Sequence, residues 1–94
     1  MADSVTVPLK KPVKAHGKEV ESLTLREPGG EDIMVCGYPL THGGVDAMAV
    51  GKYIARLADI PPSSVKALGV ADFNACADAV IGFFLNAGEQ PTPG

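Results

Sequence analysis

Tryptophan is missing from this chain, and its aromatic residues, three Phe and two Tyr, make up 5% of 94 positions. So few large rings leave a core little to spare. Burying Phe73, Phe83 and Phe84, at roughly 1.5–3 kcal/mol each, is comparable with the whole net stability of a small domain. Cysteine is just as scarce. Cys36 and Cys76 stand forty residues apart, with no Cys-x-x-Cys and no histidine at ligand spacing, which fits two reduced thiols rather than a disulfide framework or a zinc site. No apolar run approaches the roughly 18 residues that span a bilayer, and the N-terminus lacks a charged-then-apolar export signal, so neither membrane insertion nor secretion is expected. Basic residues are outnumbered 8 to 11, against the clustered Lys and Arg that general nucleic-acid binding requires.

What is present, 46% hydrophobic and 20% charged residues, reads as one α+β domain over 1–94 with little stability in reserve, a margin that a partner can extend. Residues 5 to 27 read as a β-hairpin. Val5, Val7, Leu9 and Val13 alternate at period two, Gly17 supplies a turn, and Leu23 and Leu25 resume the alternation. Pro8 and Pro12 share one flank, as suits an edge strand. Two kinds of register compete: a three-residue turn ending at Gly17 pairs Leu9 with Leu23 but needs donors from the prolines, whereas others spare the prolines and mispair the leucines. Lys10, Lys11, Lys14 and Lys18 keep this exposed hairpin soluble.

Residues 29 to 45 form a variable segment. "EDIMVC", acidic at its start and followed by Gly37, tilts toward a short helix, and "GYPLTHGG" reads as a loop. The helical half spans 46 to 87. Asp46 caps a helix whose core stripe is Ala47, Val50, Ile54 and Leu57 with Tyr53 alongside, opposite Lys52, Arg56 and Asp59. Pro61 and Pro62 stop it near Asp59. Ser63 or Ser64 can cap a single turn that ends at Gly69, and Val70 and Asp72, with Asp72 at or near the N-cap, restart a second main helix that runs to Gly88. Its stripe of Phe73, Ala77, Val80 and Phe84 is widened by Cys76, Ile81 and Phe83, more than one partner helix can cover. Gly82, which costs about 1 kcal/mol against Ala in mid-helix, is expected where another backbone comes close. The tail 88 to 94 reads as disordered.

Catalytic signals are weak. His16 reads as a hairpin-turn residue. Cys36 with His42 supplies too few ligands for zinc, and Cys76 reads as a small buried hydrophobe. Glu31 and Asp32, on adjacent positions, suit helix capping better than acid–base work. "PGGED" and "THGG" lack the spacing of a phosphate loop. No enzyme, cofactor or metal site is expected.

Leu9-x-x-Pro12, Gly17, "SLTLREP" with Asp32, "IARLADIPPSSVKALGVADF" and the closing "VIGFF" follow one another in an order that resembles the tail assembly chaperones of Mu-like and P2-like long-tailed bacteriophages. The likeness covers residues 9 to 85. It departs between Met34 and Val45, rich in glycine and proline where a more helical segment is expected. The resemblance implies a non-enzymatic helper in the host cytoplasm that binds the long helical tape measure protein, keeps it soluble, promotes assembly of tail tube protein around it, and is absent from the mature virion. Val80, Phe83, Phe84 and Leu85, then Tyr53 and Leu57, are the expected partner contacts, and homo-oligomers are expected through the hairpin edge or the last helix. The alternatives are a small structural subunit retained in the tail and, more remotely, a nucleic-acid-binding regulator using the lysine-rich hairpin.

Overall fold

A computed structural model describes residues 4–88; the tail at 89–94 lies outside them. The architecture is α+β, an N-terminal antiparallel hairpin followed by helices. Strand β1 (Ser4–Ala15) pairs with β2 (Lys18–Arg26), and the connection is a two-residue turn with His16 at φ 54° and Gly17 at φ 78°. Positive φ at both central positions is the turn whose twist matches the flanking strands. It is one residue shorter than the three-residue alternative.

The conflict between prolines and leucines is resolved by breaking the ladder. Val7 pairs with Leu23 and Pro8 with Ser22, the register then shifts, and Val13 pairs with Val20. Four residues of β1, Leu9 to Pro12, thus bulge opposite Glu21. Both halves of the hairpin turn the same face inward, so Val7, Val13, Ala15, Leu23 and Leu25 are all buried.

Helix α1 (Gly30–Cys36) forms where the acidic start and Gly37 predict it. The following loop is more regular than its composition implies: strands β3 (Leu40–Thr41) and β4 (Gly44–Val45) make a miniature hairpin. Helix α2 (Ala47–Ala58) starts as expected, with the Asp46 carboxylate accepting from the Ala49 N–H at 3.1 Å. It ends at Asp59 in the left-handed conformation, just ahead of the two prolines.

One expectation at the corner is corrected and another is sharpened. The single-turn helix α3 (Pro62–Lys66) has Pro61 as N-cap and Pro62 in its first turn, so neither serine caps it. Proline suits that position because its missing N–H has no intrahelical partner there anyway. Ser64 is buried instead, its hydroxyl donating to the Lys14 carbonyl of β1. Helix α4 (Val70–Gly88) starts at Val70 and runs to Gly88 as expected, with the Phe73 N–H bonded to the Gly69 carbonyl. Asp72 therefore lies inside the first turn, and its side chain points at β1.

One cluster of buried residues joins both halves. Leu23 and Leu25 of the hairpin meet Val50, Tyr53, Ile54 and Leu57 of α2 and Cys76 and Val80 of α4. Cys36 and Cys76 are both buried free thiols, and burial pushes Cys76 up to about 11.

Candidate functional site

Polar groups in the interior are spent on tying the hairpin to the helices. The Asp72 carboxylate accepts from the Lys10 N–H at 2.8 Å and the Lys11 N–H at 3.1 Å. Those are the donors that the bulge takes out of the ladder. The two backbone bonds, Lys10's first, hold the Asp72 pKa below its ordinary value despite burial. At the hairpin tip, His16 Nε2 donates at 2.9 Å to the Asp59 carbonyl, one of the carbonyls left without an intrahelical partner at the end of α2. His16 is thus a turn residue with a second role.

A separate latch holds α1. Arg26 grips Asp32 with two hydrogen bonds, at 2.9 and 3.0 Å, Arg56 Nε adds a third at 2.9 Å, and the Gly29 N–H a fourth at 2.8 Å. Arg26 above all, then Gly29 and Arg56, hold the Asp32 pKa far below the usual carboxylate range. Capping describes Asp32 correctly but incompletely, and Arg56 is an ion-pair partner of α1 as well as part of the charged face of α2.

The six expected contact residues divide into two sets. Val80 and Tyr53 have no exposed surface and Leu57 has 3%, so these three are core in this conformation. Tyr53 donates its hydroxyl to the Gly37 carbonyl at 2.6 Å and packs edge-to-face on Phe84 with ring centroids 5.2 Å apart. Phe83 and Phe84 are half-buried and Leu85 is 52% exposed. Phe84 also meets the exposed ring of Tyr38, at 6.2 Å between centroids. The end of α4 is therefore an apolar surface that continues onto the loop after α1. Among the described residues, nothing outside the helix's own backbone comes within 4 Å of a Cβ built on Gly82, so the close backbone approach expected there is not seen among them.

A second apolar surface lies outside the expected contacts. The outer face of α2, α3 and the first turns of α4 enclose a groove of about 580 Å³, within the roughly 300–1,000 Å³ typical of ligand sites. Met48, Gly51, Val65, Leu68, Val70 and Phe73 shape it. Met48 and Val70 on its lips are 75% and 78% exposed. A signal for it does exist in the sequence: Met48 and Val70 are apolar residues off the core stripes, and Gly51 interrupts a helix that is otherwise well formed.

Residues 6–85 match the family described as "phage tail assembly chaperone proteins, E, or 41 or 14". No curated protein and no solved structure matches the chain.

Proposed function

The chain belongs to this family of phage tail assembly chaperones, and from that premise we propose that it binds the tape measure protein, keeps that long helical chain soluble and promotes tail tube assembly around it. It acts in the host cytoplasm, without catalysis, and leaves before the particle is complete. A chaperone for exposed helices needs apolar area held open on a folded body. The observation that carries this reading is the uncovered end of α4: Leu85 is 52% exposed beside half-buried Phe83 and Phe84, with Tyr38 extending the patch. Gly82, with open space where its Cβ would be, leaves a notch for a partner backbone. Self-association through the outer hairpin edge belongs to the same reading.

Co-expression with the tape measure protein of the same phage is the test. The wild type should hold that protein in the soluble fraction. Leu85→Ser, at an exposed position, should keep its helical circular dichroism and lose the soluble partner. Phe83→Ser should do the same if Phe83 is a contact, whereas unfolding assigns Phe83 to the core and leaves the Leu85 variant to decide. Folded variants that solubilise the partner as well as wild type overturn the assignment of this surface. Finding the chain in purified mature particles would instead favour a retained structural subunit.

A further inference from the structure

We propose that the groove between α2, α3 and α4 is a second docking site, built for an amphipathic α-helix of a partner protein whose apolar stripe is flanked by Asp or Glu. The site is distinct from the end of α4. The chaperone reading is needed only to name its natural client.

Three observations point to that occupant. The floor and lips are apolar: Gly51 at the bottom, Met48 and Val70 at the edges, Leu68 and Phe73 along the wall. A Cβ on Gly51 would stand 3.9 Å from Val65 and 4.0 Å from Phe73, so glycine keeps the floor one side chain deep. Charge on the rim has one sign. Lys52 from α2 and Lys66 from α3 line the groove together with the neutral Asn74, and no carboxylate does, although acidic residues outnumber basic ones in the chain by 11 to 8. Among the described residues neither lysine is in an ion pair.

The walls then select the shape of the guest. The long wall is the face of α2 through Gly51, Lys52 and Ala55, whose backbone groups are engaged within the helix. An extended peptide would find no ladder there for its own N–H and C=O groups, whereas a helix brings its backbone already satisfied. Ala47 to Ala55 along α2 measure roughly 12 Å at the helical rise, which matches two turns of guest with anchors at i, i+3, i+4 and i+7. The rim charge argues against two copies meeting groove to groove, since that arrangement would bring four lysines together.

The test uses the whole protein and two labelled synthetic peptides of about 18 residues, long enough to form helix in water. Both carry the same Leu stripe at i, i+3, i+4 and i+7; one is flanked by Glu, the other by Lys. Fluorescence anisotropy at low ionic strength should show the Glu-flanked peptide binding about tenfold more tightly, with the difference shrinking as salt is added. Lys52→Glu with Lys66→Glu should reverse the order of the two peptides, which a merely structural role for the lysines would not do. Gly51→Leu should fill the floor and abolish both, and should Gly51→Leu fail to fold, Val70→Glu on the exposed lip should weaken the Glu-flanked peptide on its own. Equal affinity for the two peptides, or an order unchanged by the double lysine variant, overturns the proposal. So does binding that is lost in Leu85→Ser but kept in the groove variants, because the end of α4 would then be the only helix site. Concentration-dependent self-association by light scattering that the groove variants abolish, and that the Glu-flanked peptide cannot displace, would overturn it in favour of a second copy, whereas self-association untouched by the groove variants belongs to the hairpin edge. Failure of the tape measure assay alone leaves these readouts untouched.

Discussion

Toward the hairpin, the corner between α2 and α4 presents Ser64 and Asp72, each 3% exposed; toward solvent it presents Val70 at 78%, beside Met48 of α2 at 75%. At these four positions polar side chains are inside and apolar ones outside, the reverse of the usual placement, although Ile60 and Val65 of the same corner are buried in the ordinary way. The inner side needs hydrogen bonds because the bulge in β1 frees two N–H donors and the Lys14 carbonyl points the same way. Those groups cost free energy if buried unpaired, and Ser64 and Asp72 answer them. Nothing comparable explains the outer side. Apolar surface left open on a body that has already closed its core is more economically read as a contact for another molecule than as a packing failure.

The inner side should be the one that stability depends on. Asp72→Ala strands both bulge donors at once and should lower Tm by on the order of 10 °C for a domain of this size, measurable by thermal circular dichroism. A shift no larger than that of Val70→Ser would erase the distinction between the two sides.

Acid should act on the same side. Asp32 and Asp72 both have native pKa values below the ordinary 3.8, so in the folded state each holds its proton less tightly than in the unfolded chain. Their contribution is complete well above 3.8 and is lost as pH falls through that value toward the depressed native ones. The urea midpoint should therefore be flat down to about pH 5 and decline below it. Asp72→Asn should make the decline shallower, and an unchanged acid limb would mean that Asp72 is not gripped by β1 in solution.

How much of this was visible in the sequence depends on the range of the interactions. The hairpin, α1, α2 with its Asp46 cap, and the stop at the prolines follow from local periodicity and turn chemistry, and all are found. Ser64 and Asp72 look locally like helix caps because serine and aspartate usually are. Their real partners, Lys14 and Lys10–Lys11, lie 50 to 62 positions away, and no local pattern carries that information. The register stays open in the sequence for a related reason: the leucine and proline preferences conflict only if the ladder is continuous, and a tertiary carboxylate allows it to break. For the contact residues, the surplus of apolar surface on α4 was legible. Three residues named for that surplus, Phe83, Phe84 and Leu85, are half-buried or exposed, whereas Tyr53, Leu57 and Val80 could not be told from them by periodicity and lie in the core cluster shared by the hairpin, α2 and α4.

Smaller effects are expected from the glycines facing open space. Gly82→Ala should raise stability by about 0.5–1 kcal/mol, because alanine removes a helix penalty and meets no atom within 4 Å. The informative outcome is the split: a stabilised protein with weakened partner binding identifies the notch as used by the partner, whereas a gain in both, or no loss of binding, returns Gly82 to a purely local role.

The smallest change in stability should come from the outer lip itself. Met48→Ser with Val70→Ser removes apolar atoms that are mostly in water already, at 75% and 78% exposure, so the expected change is within about 0.5 kcal/mol per site. Binding of a hydrophobic dye should fall in the same variant, because the groove loses both apolar edges while the core beneath stays intact. A protein that instead melts many degrees lower would show these residues to be covered in solution, by a second copy or by an altered packing of α4, and the outer face would then resemble the inner one after all. Stability that is unaffected while dye binding drops is what separates a surface kept open from a core left unfinished.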